Sequence, residues 1–534
     1  MIIISLLMTL QQSSFSGGGE WFVEHRNLLT SGPISGTMAW ENLGDADGDG
    51  GEEVVMVIDV PFDNEIIRID SGIGGEAWRV SWRGLHSQAV SSSPEWIERL
   101  DDVNGDGVSD LLIGSHAPIS TGIAALLSGA DGSTIWVEAM TGSHESFGDS
   151  GCRVGDIDSD GVNDFLILAH LNHALFSPEL FAYCGATRAI LWSKDTYSQG
   201  WGWASVVGDL DGVDYDGDGC ADFLLQSGGL LRVISSVTGN QIFDLGSAGR
   251  IFLKNGSKVT AVGDDLDGDG LPEIVVEESN FPLSQKICIG TSAAQTIWTQ
   301  VDSEPYSSGT VSIPDIDGDG YKDFAVGAPD LASGGTWNGG KVALLSGLTG
   351  AHIRYIRGGD RNTEGVKLGE FIAASLDGTP KILASQLLGP SGSDASTMQF
   401  AFDPYISTSA HEVSASGPVS VDLSLSFPVE FANHPYGALF SWSGYGPTDL
   451  FGLKVPLTWD SLMQKSVQYD LPSAIQFARG SLDATGNAVV EIRVPSGILT
   501  SVIGRRLHAA AVVADLGLTS LVVSSAGMGI LIEP

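Results

Sequence analysis

Six nonapeptides in this sequence share the pattern D-x-[DN]-x-D-G-x-x-[DE], and an apolar run follows each one at once. Their acidic and amide positions are Asp45, Asp47, Asp49 and Glu53; Asp102, Asn104, Asp106 and Asp110; Asp156, Asp158, Asp160 and Asp164; Asp214, Asp216, Asp218 and Asp222; Asp265, Asp267, Asp269 and Glu273; and Asp315, Asp317, Asp319 and Asp323. Side chains at positions 1, 3 and 5 converge when the chain curls tightly, and Gly at position 6 permits the sharp turn. A carboxylate at position 9 can close the shell. Carboxylates this close repel one another unless a cation sits between them. All-oxygen ligation suits Ca²⁺ first and Mg²⁺ second, and suits Zn²⁺ or a softer metal poorly. The pattern predicts about six Ca²⁺ sites. An EF-hand is excluded because it needs Glu at position 12. Here that position is Met56, Ile113, Ile167, Leu225, Val276 and Val326.

Other chemistries are weaker. Gly148-Asp149-Ser150-Gly151 copies the surroundings of a serine-protease nucleophile, but no His and Asp in suitable contexts accompany it. His170 and His173 form an HxxH without a further ligand motif, a pattern that surface histidines also give. No GxSxG, HExxH or P-loop occurs. The sequence assigns no catalytic residue and no organic cofactor, and the chain reads as non-enzymatic.

The elements that must position the loops follow from the repeat. The loops start at Asp45, Asp102, Asp156, Asp214, Asp265 and Asp315, 57, 54, 58, 51 and 50 residues apart. In phase with them runs an apolar strand, a Gly/Ser/Thr turn and a second strand that usually bears Trp, as at Trp78, Trp136, Trp192 and Trp298. Each unit thus holds a loop, a buried strand, a hairpin and another strand, which is one four-stranded propeller blade. A seventh slot falls at 368–383, where Asp377-Gly378 survives but Ala373, Ser375 and Lys381 replace ligands. An N-terminal strand near Trp21 would complete the last blade and leave no open edge. Residues 17–402 therefore read as a seven-bladed β-propeller, with six blades plus decoration as the alternative.

The repeated DxDxDGxxD before an apolar strand resembles the FG-GAP repeats of the integrin α-chain N-terminal propeller and its bacterial relatives. Phe147-Gly148 carries the name-giving dipeptide, and Leu368-Gly369 is a relic of it. The resemblance implies Ca²⁺ on one face of a seven-bladed ring, export, and a role in adhesion or ligand binding. The integrin partner-binding loops have no counterpart here. The Trp strand also resembles that of quinoprotein propellers, but the eight blades and adjacent Cys pair of that family are missing.

Composition agrees. The chain has 534 residues, a net charge of -40 and 43% apolar residues, so it is globular and strongly acidic. Nucleic-acid binding needs a basic face and is excluded. Cys152, Cys184, Cys220 and Cys288 make no CxxC and allow three pairings, with free thiols as the alternative. Residues 1–16 read as a candidate signal peptide on the apolar Met1–Leu10, although no basic region precedes it; a buried strand is the alternative. No segment reads as transmembrane: the apolar Ala509–Ile532 contains Asp515 and reads as two strands around a turn. Residues 403–534 lack calcium loops and alternate as strands, so they read as a C-terminal β-sandwich. The expected function is an exported, calcium-binding propeller that takes an unidentified protein or carbohydrate ligand. The alternatives are a propeller-scaffold enzyme acting on polysaccharide and a structural cell-surface component. The sequence is silent on oligomeric state.

Overall fold

The computed structural model describes residues 22–533 apart from 30–36, 49–50, 61–62, 71–74, 88, 90–92, 116–121, 141–145, 171–177, 197, 202–203, 228–229, 246–259, 281–282, 291–294, 303–308, 317–318, 329–339, 358–370, 377–380, 389–393, 403–404, 411, 428, 445–446, 469 and 526–527. The N-terminal leader, Trp21, Asp49, His173, Asp317, Leu368-Gly369 and Asp377-Gly378 lie outside the described residues. The chain divides into two compact units, one of Glu24–Pro314 with Phe324–Phe400, the other including Asp315–Asp323 and Ala401–Pro534.

The repeats build a β-propeller. Among the described residues the repeats form seven four-stranded sheets. The first sheet runs Thr37–Gly44, Glu53–Val60, Asp63–Asp70 and Gly75–Ser81. The second runs Trp96–Arg99, Leu111–Ser115, Ile123–Leu127 and Thr134–Ala139. The same order recurs over 146–195, 204–244, 260–302 and 310–357. The seventh sheet joins Ile372–Ala374, Lys381–Leu388 and Asp394–Phe402 to Phe22–Leu29 from the start of the chain.

The second strand of each repeat is the apolar run after the acidic loop. Leu111–Ser115 and Asp323–Ala328 are buried along their whole length. A strand that faces neighbouring sheets on both sides needs apolar residues at every position, which is why these runs do not alternate. The outermost strand Thr134–Ala139 has no fully buried residue. Each core cluster is shared by two sheets. Leu43, Val55 and Ile66 pack with Ile97, Leu111 and Ile123, and Trp40, Met56 and Ile67 of the first sheet pack with Phe371 and Leu383 of the seventh.

A repeated lock joins neighbouring blades. The indole Nε1 of Trp78 donates to Gly129 O at 3.0 Å, that of Trp192 to Ser236 O at 2.9 Å and that of Trp298 to Gly347 O at 2.9 Å. Each acceptor lies in the hairpin of the next blade. The same hairpins contain Gly132, Gly239 and Gly350, with φ of 72°, 64° and 69°. A Cβ on Gly350 would lie 2.4 Å from the Trp298 ring, so this residue needs both the left-handed conformation and the missing side chain.

The C-terminal residues form two main sheets around one core. One sheet orders Ile406–Thr408, Val419–Ser426, Asn487–Val494 and Ile475–Gln476; the other orders Glu412–Ser414, Met528–Glu533, Arg506–Ala514, Pro435–Ser441 and Arg479–Ser481. Val419–Ser426 alternates buried and open positions along its length, as a strand with one face on a core must. The expectation of two strands over 509–532 needs correction. Three are present, because the second of the two is broken into Leu521–Ser524 and Met528–Glu533, both of which pair antiparallel with Arg506–Ala514. A helix at Ser461–Gln468 interrupts the strand pattern; Asp460 caps it by accepting from the amides of Leu462 and Met463.

Candidate metal centres

Each acidic loop is a short link between the first and second strands of its sheet, and in the five loops whose positions 5 and 6 are described the backbone fixes the carboxylates in the same way. The position-1 aspartate accepts from the amide of position 6: Gly107 to Asp102 at 2.7 Å, Gly161 to Asp156 at 2.8 Å, Gly219 to Asp214 at 2.8 Å, Gly270 to Asp265 at 2.9 Å and Gly320 to Asp315 at 2.7 Å. The amide of position 7 donates to the position-5 carboxylate, as from Val108 to Asp106 at 2.9 Å and Leu271 to Asp269 at 2.8 Å. Position 6 is left-handed, with φ of 90° at Gly107 and 97° at Gly219, as its glycine requires. Position 4 is left-handed too, and Ser159 adopts it with φ 60°, a second turning point that the sequence pattern alone did not single out.

Position 9 differs from the other three. Glu53, Asp110, Asp164, Asp222, Glu273 and Asp323 are all fully buried. Each accepts from the amide of position 2: Ala46 at 2.6 Å, Val103 at 2.8 Å, and Ile157, Tyr215, Leu266 and Ile316 at 2.7 Å. The second oxygen of Asp164 accepts from Gly185 in the blade's own hairpin at 2.8 Å, and those of Asp110 and Asp222 accept from Gly129 and Ser236 at 3.3 Å. This carboxylate therefore ties the loop to the hairpin as well as facing positions 1 and 3. A carboxylate oxygen has two lone pairs, so one amide bond leaves room for a cation.

The ligand atoms do come together. One oxygen each from Asp45, Asp47 and Glu53 lies within 4.8 Å of the others, and the same holds for Asp156, Asp158 and Asp164, for Asp214, Asp216 and Asp218, and for Asp265, Asp267 and Asp269. In the second loop the Asn104 amide donates to Asp106 at 2.9 Å, so the amide and the acid converge there as well. With the cation left out, the electrostatics are unfavourable. Burial pushes Asp110, Asp164 and Asp222 up to about 6; the backbone amides oppose the shift, and neighbouring carboxylates of the same loop add to it.

Three details set the loops apart. A side chain from the third-strand end of the blade reaches the position-5 carboxylate: Ser128 Oγ donates to Asp106 at 2.9 Å, Ser235 Oγ to Asp218 at 3.2 Å, and Cys184 Sγ to Asp160 at 3.1 Å. The first loop carries its own cation, since the buried Arg68 lies 3.9 Å from Glu53. Neighbouring loops also touch, as where Tyr215 donates to Pro272 O at 3.1 Å and Cys220 Sγ to Asp156 O at 3.3 Å. Ser128 and Ser235 each follow the end of the third strand of their blades, but only the fold shows that they and Arg68 meet the acidic loops.

The remaining sequence candidates have other surroundings. Ser150 is nearly buried, and its hydroxyl accepts from the Val206 amide of the next blade at 3.0 Å. His170 lies in the strand Phe165–His170. None of the four cysteines is in a disulfide, and Cys152, Cys184 and Cys288 are buried. Ala373, at the head of the seventh slot, lies in the strand Ile372–Ala374, where the other repeats have loop. Among the described residues no helix is long and apolar enough to cross a membrane.

No family model matches the chain, and no curated protein matches it. Among solved structures it is similar to an exotype rhamnogalacturonan lyase, YesX, at 11% identity and a TM-score of 0.41, over 70% of this chain and 75% of that one. It is also similar to the Dos1 propeller, at 11% identity and a TM-score of 0.39, over 71% of this chain and 94% of that one.

Proposed function

We propose that the chain is a seven-bladed, calcium-stabilised propeller of the FG-GAP type, followed by a C-terminal β-sandwich, and that it is an exported module that binds a protein or carbohydrate partner without turning it over. The observation that carries the calcium reading is one loop geometry repeated from blade to blade. In the five loops whose positions 5 and 6 are described, the same amides hold the position-1 and position-5 carboxylates, and a buried position-9 acid stands behind them. Carboxylate oxygens brought within 4.8 Å of one another, beside buried acids pushed up to about 6, are an arrangement that a divalent cation relieves.

Ions that bind only the folded ring add about 2.7 kcal/mol per site at one hundred times Kd, so six sites decide whether it stays folded. The test is a thermal melt with calcium and with a chelator, alongside calorimetric titration of the calcium-free chain. Chelation should lower the melting temperature steeply and calcium should restore it, with magnesium much less effective. An unchanged melting temperature would sink the reading. Partner binding is tested by a glycan and protein screen with and without calcium, in which turnover of a glycan would favour an enzyme instead.

A further inference from the structure

The second to fifth acidic loops are joined to one another as well as to their own blades, and the three junctions lie within the unit that contains Glu24–Pro314. Between the second and third loops, the side-chain amide of Asn163 donates to the carboxylate of Asp101, which precedes the position-1 Asp102. Val103 of the second loop and Val162 of the third belong to one apolar cluster. Between the third and fourth, Cys220 Sγ donates to Asp156 O at 3.3 Å. A Cβ on Gly155 would lie 3.0 Å from the Ala221 nitrogen, so the two backbones meet with little room for a side chain. Between the fourth and fifth, the buried Tyr215 donates its hydroxyl to Pro272 O at 3.1 Å and shares an apolar cluster with Leu271.

The residues at these junctions are the ones whose amides hold the ligands. At position 2, Val103 donates to Asp110 at 2.8 Å and Tyr215 to Asp222 at 2.7 Å. At position 7, Val162 donates to Asp160 at 2.9 Å, Cys220 to Asp218 at 3.1 Å and Leu271 to Asp269 at 2.8 Å. An ion that draws the acids of one loop together therefore also fixes positions 2 and 7, on which the neighbouring loops rest. A loop beside a filled one starts from a backbone already held, so less ordering entropy is left for its own ion to overcome. Charge works the other way, since each ion taken up weakens the negative field at its neighbours, but at physiological salt that field is screened over about 8 Å. We propose that the second to fifth loops take up calcium cooperatively, each filled loop raising the affinity of the loops beside it. This coupling rests on the calcium reading above.

Calorimetric titration of the calcium-free full chain with calcium chloride at physiological salt, beside a variant carrying Asp214→Asn and Asp218→Asn, tests this. The four acids of the fourth loop with one Ca²⁺ carry a net charge of -2, and the variant carries the same charge without an ion. Its neighbours thus feel the field of a filled loop and the backbone of an empty one. The variant should bind one ion fewer, and the ions at the third and fifth loops should bind about fivefold or more weaker. Tyr215→Phe keeps every ligand but lacks the hydroxyl that reaches the fifth loop. It should bind the parental number of ions and hold two of them about two- to tenfold less tightly, as the loss of one hydrogen bond implies. Melts in saturating calcium check that both variants fold; if the double variant does not, Tyr215→Phe decides. Loss of one ion with the other affinities unchanged, or a Tyr215→Phe isotherm identical to the parent's, would overturn the coupling and leave the calcium reading standing. Absence of calcium uptake by the parent chain would overturn both.

Discussion

The lock between blades gives a sharp test at Gly350→Ala. Two costs add at this position. The residue sits at φ 69°, where an L side chain costs roughly 1–2 kcal/mol relative to glycine. Its new Cβ would lie 2.4, 2.7 and 2.9 Å from three atoms of the Trp298 ring, closer than real contacts allow. The indole has little freedom to retreat, being 8% exposed and held by its bond to Gly347 O. Overpacking of this kind costs about 1–3 kcal/mol, which brings the total to roughly 2–5 kcal/mol. Trp298→Phe removes the obstructing bicycle and also the indole donor, and orphaning the Gly347 carbonyl costs about 1–3 kcal/mol. In the Trp298→Phe background, Gly350→Ala should therefore cost only the backbone term of about 1–2 kcal/mol. The cycle should show a coupling of about 1–3 kcal/mol by urea denaturation in calcium, followed on the propeller transition with m-values compared across the four proteins. Costs that add to within about 0.5 kcal/mol would refute the lock, because the two residues would then not meet as described.

Two further predictions concern charge and the loops. His508, 9% exposed, is lowered to about 4, chiefly by burial and then by the Arg506 charge, from 6.5 in the unfolded chain. Its folded value is depressed, so the stability it contributes is present above pH 6.5 and is lost as pH falls from there through 4. That amounts to about 2–3 kcal/mol for the C-terminal unit, and melts of the parent and of His508→Gln between pH 7.5 and 4 should differ in slope by that much. Ser128→Ala removes the hydroxyl that donates to Asp106 and should weaken calcium at the second loop by about 10-fold or more, read by titration calorimetry; an unchanged binding isotherm would remove the hydroxyl from the site.

Much of the propeller was legible because its signals are local. A loop ligand set lies within nine residues, and the apolar run after it must be a strand buried on both faces, as Leu111–Ser115 is. What was not legible depends on neighbours distant in sequence. Nothing in the spacing pairs Trp78 with Gly132, or Arg68 with Glu53, because those contacts exist only once hairpins and blades have docked. Position 9 reads as a ligand like the others, yet its burial and its bonds to two separate segments come from the fold. In the C-terminal unit Ser461–Gln468 is about two turns long, too short for its period to stand out among strands, and the run from Leu521 to Glu533 looked continuous although it is two strands.

The seventh sheet takes its edge strand, Phe22–Leu29, from the beginning of the chain and its neighbour, Asp394–Phe402, from some 370 residues later. During synthesis the first strand must wait for the last. At 5–20 residues per second the ribosome leaves it unpaired for about 20–70 s. Throughout that interval the nascent protein is an open arc with two raw edges, each a template for strands of other chains. Truncations that remove either strand should leave that arc permanently open, and aggregation rather than loss of a ligand should be their first symptom.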